Sequence, residues 1–432
     1  MTLIKAHPTT GNTPAAAARD RAIDVARLGA LLVVMFGHCA LLLATIDASG
    51  VRIGNLLGEI PAIQPLTWIV QVMPLFFLAG GAAGAYGWRG GTSWGTWLFT
   101  RAQRLCRPVF WYLAAWTVGL VVVRLLLGAE SADRLGGECV ALLWFLGVYL
   151  VVLAFVPALT RLQSGRGVAI VLAVLLAAAA AVDQIRLAVG SPEAGGVNFV
   201  IVWLIPVMIG VAYARGLITP HTALAVAAVA FAAQLALVLT GVYDVSLVVT
   251  GVERISNTAP PTLLLALHCT WMSGVFVAVA GLIRRWAERP AVWRVVAVGN
   301  GGAMTLYLWH IPAIAVAAFS LHALGLDAYD VHAPGFWAVL ALRAVVFAIV
   351  MAAAFRLLSP LEHRPLPWWD APTRGSGARS ALAGALICVA GVAVLLLAKF
   401  GLSSLEGWSA LGCFLAALGA ARKVLSRLVI HR

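Results

Sequence analysis

The chain has 432 residues, of which 62% are hydrophobic and only 11% are charged, and its formal net charge is +13. A soluble globular protein carries roughly 25% charged residues, so this composition excludes a water-soluble domain. The apolar runs are about 20 residues long, which is the length that an α-helix needs to cross a bilayer, and they lack the alternation of barrel strands. The predicted fold class is therefore all-α, a polytopic bundle of transmembrane helices.

The hydropathy pattern predicts about twelve spans, and they form ten consecutive helices followed by a final pair. In chain order they cover residues 27–46, 65–87, 108–128, 140–160, 168–189, 198–214, 221–241, 261–283, 302–324, 335–357, 380–399 and 404–421. Residues 1–19 are expected to be a flexible cytoplasmic N-terminus, and 20–366 a ten-helix membrane domain. A linker rich in Pro and Gly follows at 367–379, and 380–432 hold the last two spans and a basic tail.

Charge predicts the orientation. Most of the 30 Lys and Arg residues fall in alternate loops, and basic residues are retained on the cytoplasmic side. Both termini are thus expected in the cytoplasm of a multi-pass protein of the cell membrane. The net charge is explained by orientation and by contact with anionic lipid headgroups, so no nucleic-acid partner is expected. The six cysteines are scattered, without spacing that indicates a metal site.

Ionisable side chains inside a span are costly, so each one is a functional candidate. Four of them are His38, His268, His310 and Arg343. His268 is interpreted as structural. Arg343 is consistent with either substrate binding or an ion pair to an outer carboxylate.

The first span carries a suggestive spacing. His38 follows Arg27 by eleven residues, which returns to within about 20° of the same helix face and separates the two by about 16 Å of rise. Asp24, one turn before Arg27, is close enough to pair with it. A long ligand can touch both Arg27 and His38. The ordinary alternative is a topology anchor at Arg27 and a packing hydrogen bond at His38.

Two further groups accompany this pair. Arg101, Arg104 and Arg107 recur every three residues at the cytoplasmic entrance of the third span, where they signal topology or bind phosphate by bidentate hydrogen bonds. In the ninth span His310 follows Tyr307 by one turn and precedes Pro312, so it is either a site residue or a packing histidine beside a kink.

These residues resemble the membrane acyltransferase 3 family, whose first helix has an arginine, ten residues and then a histidine. Arg27 and His38 stand in that relation within the run that starts at Arg21. Further similar segments are Pro74–Gly80, Arg101–Pro108, Leu143–Leu146, Tyr307–His310 and Pro360–Glu362. The likeness covers about residues 20–366. It departs at Ala79, where the family often has serine, and in the distance from Glu362 to Pro365.

The resemblance implies transfer of an acyl group, often acetyl, from acyl-CoA as cosubstrate to a hydroxyl of a sugar, glycan or small hydrophobic metabolite. No permanently bound cofactor is implied. His38 becomes the candidate general base or acyl carrier, and the four arginines Arg27, Arg101, Arg104 and Arg107 become the candidate coenzyme A site. Asp24, Tyr307, His310, Glu362 and Arg343 are candidate substrate or supporting residues.

The main alternative is a secondary transporter or flippase, which also uses about twelve helices and intramembrane charges. Gly80, Gly81 and Gly84 in the second span are compatible with a helix broken at a substrate site. No duplication of halves is visible in the sequence, which disfavours that alternative. A receptor or scaffold without chemistry is the third interpretation.

Overall fold

The structure, a computed structural model, describes residues 20–48 and 50–426, so the predicted N-terminus at 1–19 and the tip of the basic tail lie outside the described residues. The first half contains α1 (Arg21–Leu41), β1 (Leu42–Asp47), β2 (Gly50–Asn55), α2 (Leu56–Glu59), α3 (Thr67–Val70), α4 (Met73–Tyr86), α5 (Trp94–Ala141), α6 (Trp144–Leu153), α7 (Val156–Leu159), α8 (Gly165–Val189) and α9 (Asn198–Ala214). The second half contains α10 (Pro220–Leu239), α11 (Leu263–Trp286), α12 (Pro290–Gly301), α13 (Ala303–His322), α14 (Phe336–His363), α15 (Pro367–Asp370), α16 (Gly377–Phe400) and α17 (Leu405–Ser426).

Eleven helical segments of the described chain are long and apolar enough to cross a membrane, which confirms the predicted all-α polytopic bundle. One of them, Trp94–Leu153, has 60 residues, far more than one crossing needs. It folds back at Gly128, whose φ of 86° suits glycine, and the Tyr112 hydroxyl before this turn donates to the Cys139 carbonyl after it. The segment therefore contains the third predicted span, 108–128, and most of the fourth, 140–160.

The first predicted span ends too late, because the helix stops at Leu41 and residues 42–46 form a strand. β1 and β2 pair antiparallel, from Leu42 opposite Asn55 to Asp47 opposite Gly50. Leu43 and Val51 are each 1% exposed, so the hairpin buries apolar side chains while its strands satisfy each other's backbone groups. A short apolar run such as residues 42–46 is compatible with either a strand or the end of a helix, so the sequence did not predict the hairpin. We call this end of the bundle the hairpin end, and the end where α1 begins the basic end.

The second predicted span is interrupted, but not at its glycines. A 3₁₀ turn over Pro61–Leu66 and the short α3 precede a break at Gln71 and Val72, and α4 then runs without interruption through Gly80, Gly81 and Gly84. The glycines permit close packing instead. A Cβ on Gly81 would lie 2.1 Å from the Val207 carbonyl oxygen of α9, and a Cβ on Gly210 equally close to that of Leu78.

The last two predicted spans are α16 and α17, and α16 packs directly on α5 and α6. The backbone amide of Gly95 donates to the Ser380 hydroxyl at 2.7 Å. A Cβ on Gly147 would lie 2.6 Å from the Gly391 carbonyl oxygen, so α6 and α16 touch through their backbones. Together with α4, α5 and α9, α16 therefore encloses α6.

Candidate active site

α1 carries His38 on the side that packs into the bundle. Leu31 and Met35, on the same side, are only 1% and 3% exposed, whereas His38 itself is partly exposed. Asp20 caps the helix by accepting from the Ala22 amide at 3.0 Å. His38 therefore lies on the bundle-facing side of α1 without being fully covered by protein.

His38 is paired with His310 of α13. Its Nδ1 lies 3.0 Å from His310 Nε2, and the two rings meet edge to edge, with centroids 5.2 Å apart and planes inclined by only 15°. His310 is 0% exposed, and its Nδ1 lies 2.7 Å from the Tyr307 backbone carbonyl oxygen. No residue in the described part of the chain is hydrogen-bonded to His38 Nε2. The structure thus joins two of the sequence-predicted site residues.

Tyr307 has two separate roles in this geometry. Its backbone carbonyl holds His310, while its buried hydroxyl donates to the Leu142 carbonyl between α5 and α6. Its ring also contacts Phe145 of α6, with centroids 5.5 Å apart. Tyr307 therefore fixes α13 against α6, and its hydroxyl is already engaged.

Arg27, Arg101 and Tyr149 form a group at the basic end. Tyr149, on α6, lies within electrostatic reach of both guanidinium groups. The Arg101 guanidinium stacks 3.6 Å from the Trp97 ring centroid and donates to the Trp97 carbonyl at 3.3 Å. It also lies against Gly87, which ends α4 and leaves no space for a Cβ there. Two cations thus lie near one phenol, and the packing on Trp97 and Gly87 holds one of them, Arg101.

Tyr149 was not among the predicted site residues. Leu146, Leu150 and Leu153 of the enclosed α6 are at most 2% exposed, whereas Tyr149 is partly exposed. The ring packs against Gly80 of α4, where an added Cβ would lie only 2.5 Å from the Tyr149 hydroxyl oxygen. A polar-tipped ring within an otherwise apolar span was the only signal for it in the sequence.

The three arginines at the start of α5 separate into two kinds. Arg104 is exposed and lies within electrostatic reach of Arg101. Arg107 instead forms an ion pair with Asp370 at 2.6 Å and donates to the Glu362 carbonyl at 3.4 Å. Asp370 was not predicted, because it lies in the expected linker. Arg107 ties α5 to α15 and α14.

Glu362 and Arg343, both on α14, fix helix ends. The Glu362 carboxylate accepts from the Thr305 amide at 3.0 Å and from its hydroxyl at 2.9 Å, near the start of α13. Arg343 is 2% exposed and donates to the Cys39 carbonyl at 2.6 Å, in the last turn of α1. A cation there complements the negative end of the α1 dipole.

Asp24 and Asp20 anchor the basic end of α1. Asp24 is 4% exposed, and its backbone carbonyl accepts from the Asn300 amide at 2.8 Å. Asp20, which the predictions omitted, accepts from the hydroxyls of Tyr86 and Tyr213 and from Arg284, at 3.1, 2.9 and 3.2 Å. The carboxylate thereby links α1 to α4, α9 and α11.

Fold and site together describe a multi-pass membrane protein with a histidine pair inside its helix bundle and arginines at one end. Residues 20–355 match the family model described as the acyltransferase domain of the acyltransferase 3 type. The match covers well over half of the chain, so the protein belongs to this acyltransferase family. No curated protein and no solved structure matches the chain.

Proposed function

We propose that the protein is an acyl-CoA-dependent O-acyltransferase of the cell membrane, with His38 at the reacting carbonyl. The observation that carries the proposal is the partly exposed His38 ring inside the bundle, held by His310 and on the same α1 face as Arg27. A histidine with an available nitrogen is suited to take a proton from a hydroxyl near neutral pH.

The donor enters from the basic end, which faces the cytoplasm. Arg27, Arg101 and Arg104 hold the phosphates of coenzyme A, because planar guanidinium groups make bidentate, charge-assisted hydrogen bonds to phosphate. The rise along α1 from Arg27 to His38, about 16 Å, leaves room for the extended pantetheine arm between them. Tyr149, which lies within electrostatic reach of Arg27 and Arg101, is beside this path.

In the reaction, Nε2 of neutral His38 takes the acceptor hydroxyl's proton while the hydroxyl oxygen attacks the thioester carbonyl carbon. The carbon–sulfur bond then breaks, and the proton passes from His38 to the leaving sulfur. The products are an ester and free coenzyme A, and His38 returns to its neutral form. General-base catalysis of this kind contributes typically 10²- to 10⁴-fold.

A second path makes His38 the acyl carrier, since histidine can act as a nucleophile. The two paths differ in what accumulates when the acceptor is withheld. Protein mixed with radiolabelled acyl-CoA and quenched should carry label only in the carrier path. Label that survives in His38→Gln would exclude His38 as the carrier.

The acceptor is a hydroxyl compound that reaches the site from the membrane or is small enough to enter the bundle. The described segments between the spans at the hairpin end are short, apart from residues 42–60 and 240–262. Only a lipid-linked or small acceptor is therefore expected to work. Activity confined to a soluble polymeric acceptor would contradict this part of the proposal.

The test is release of free coenzyme A by purified protein in lipid nanodiscs, from a panel of acyl-CoA thioesters with and without candidate acceptors. His38→Gln should lose acceptor-stimulated release while it still binds coenzyme A. His268→Gln is the matched control, because His268 is another intramembrane histidine, but it is fully buried and its ring is hydrogen-bonded to the Gln71 backbone carbonyl at 2.7 Å. Saturable flux of substrate without release of coenzyme A would indicate transport instead.

A further inference from the structure

The hydrogen-bond chain that ends at His38 determines where protons sit on both imidazoles. The Tyr307 backbone carbonyl, 2.7 Å from His310 Nδ1, has no proton to give, so Nδ1 of His310 is the protonated nitrogen. His310 is 0% exposed and has no carboxylate among its hydrogen-bond partners, so burial favours its neutral form. A neutral imidazole carries one proton, so Nε2 of His310 is an acceptor.

The next link follows from the same rule. His38 Nδ1 lies 3.0 Å from that acceptor, so Nδ1 of His38 must be the donor. In neutral His38 the remaining nitrogen, Nε2, then has a free lone pair. This is the nitrogen that makes no hydrogen bond to the described residues, in a side chain that is partly exposed. The lone pair is thus left on the accessible nitrogen.

We infer that His310 is a positioning residue, which keeps His38 in its Nδ1–H tautomer and so directs Nε2 towards the acceptor hydroxyl. This inference rests on the proposed function. When Nε2 takes the hydroxyl proton, His38 becomes a cation, and its Nδ1–H bond to His310 becomes charge-assisted and stronger. His310 therefore stabilises the cation that the transfer step forms, without touching the substrate.

His268 lacks this arrangement, although it is as fully buried as His310. Its Nε2 lies 2.7 Å from the Gln71 carbonyl oxygen, and its Nδ1 has no hydrogen-bond partner among the described residues. The carbonyl therefore assigns the proton to Nε2, and no second side chain receives a lone pair. A buried histidine of this kind holds helices together, and it provides an internal comparison for the tautomer of His38.

The experiment combines a tautomer measurement with kinetics. Histidine-selective ¹⁵N labelling of the nanodisc protein reports which nitrogen is protonated, and the His38 signal is the one that His38→Gln removes. Wild type should show Nδ1–H at His38 and Nε2–H at His268. His310→Leu, which removes the acceptor, should release His38 into a mixture of tautomers, whereas His310→Gln keeps an acceptor oxygen near the position of Nε2.

The kinetic readout separates positioning from folding. His310→Leu should lower kcat roughly 10²-fold, within the range that removal of a general base gives, and leave the KM for acyl-CoA unchanged. His310→Gln should recover most of that loss, and His268→Leu should change kcat less than about threefold. Equal kcat losses in His310→Leu and His310→Gln, with both proteins folded, would overturn the inference.

The tautomer measurement also distinguishes this inference from the proposed function. It needs neither turnover nor knowledge of the acceptor. Nε2–H at His38 in the wild type would overturn the inference even if coenzyme A is released normally. Nδ1–H at His38 in a protein that transfers no acyl group would sink the proposed function and leave the hydrogen-bond chain in place.

Discussion

Two polar regions of the bundle differ in whether the protein itself occupies the hydrogen-bonding atoms of the central side chain, which is Asp183 in one region and His38 in the other. In the first, Asp183 of α8 is 2% exposed, and its oxygens accept from the Asn198 amide at 3.1 Å, the Tyr243 hydroxyl at 2.9 Å and the Leu263 amide at 2.7 Å. In the second, the chain from Tyr307 through His310 ends at a partly exposed His38 with one nitrogen unoccupied. A buried carboxylate whose oxygens are occupied stabilises helix packing, whereas a histidine that keeps a free lone pair is available for a ligand.

The charge state of Tyr243 agrees with the structural role of the Asp183 region. Burial and the neighbouring Asp183 carboxylate raise the pKa of this tyrosine, which lies outside the spans. The hydroxyl therefore stays protonated and donates at all physiological pH values. The stability that Tyr243 contributes through its raised pKa is fully present below the unfolded pKa of about 10. It is lost as the pH rises from there through the higher pKa of the folded state.

Replacement of Asp183 should have the largest effect on stability. Asp183→Ala leaves the Tyr243 hydroxyl, the Asn198 amide and the Leu263 amide without their acceptor, at a cost on the order of 3 kcal/mol or more. Thermal unfolding in detergent should show a large drop in melting temperature, with a smaller drop for Asp183→Asn. The kcat of the protein that remains folded should be unchanged. A specific loss of kcat at full stability would remove the contrast between the two regions.

Gly80→Ala should disturb the site through Tyr149. The new Cβ lies 2.5 Å from the Tyr149 hydroxyl, so the ring must move, and overpacking costs typically 1–3 kcal/mol. We expect the KM for acyl-CoA to rise about tenfold, because Tyr149 borders the proposed donor path. Gly37→Ala on α1 is the control, since a Cβ there has no heavy atom of the described residues within 4 Å. Equal KM values in the two variants would show that Tyr149 does not border the path of acyl-CoA.

Arg101 and Arg107 lie on the same helix, α5, but we expect Arg101 to bind ligand and Arg107 to stabilise the fold. Arg101→Ala should weaken coenzyme A binding roughly tenfold, in line with the loss of a charge-assisted hydrogen bond, and should reduce the salt dependence of binding. Arg107→Ala should instead lower the melting temperature, since it leaves Asp370 without its 2.6 Å partner. Isothermal titration with coenzyme A and a melting curve on each variant distinguish the two roles. Interchanged results would reverse our assignment.

Tyr307→Phe should have the smallest effect. It removes the hydroxyl bond to the Leu142 carbonyl, a loss of about 1 kcal/mol in stability, but keeps the backbone carbonyl that holds His310. We therefore expect kcat within about twofold of the wild type. A fall of 10²-fold or more would mean that the phenol itself takes part in the chemistry, contrary to our interpretation.

The positions of the helices could be predicted from the sequence, because they depend on local periodicity. The contacts between side chains of different helices could not. Span length and position follow from apolar runs, and the common face of Arg27 and His38 follows from helix geometry. The contact between His38 and His310 joins residues 272 positions apart, so no local pattern predicts it. The β1–β2 hairpin was missed because its apolar residues continue the run that begins in α1.

The arginines illustrate the same limit. Arg101, Arg104 and Arg107 are indistinguishable by spacing, but only Arg107 meets Asp370, which follows 263 residues later. A tertiary ion pair therefore divides a motif that looks uniform in the sequence. Tyr149 was missed because a single tyrosine in an apolar span is ordinary until its neighbours are known.

A structure of the nanodisc protein with coenzyme A bound would show whether coenzyme A lies between the arginines of the basic end and His38. We expect density for phosphate groups within hydrogen-bond distance of Arg27 or Arg101, and the thiol sulfur beside Nε2 of His38. Coenzyme A bound elsewhere, or with its sulfur away from His38, would show that His38 is not at the reacting carbonyl.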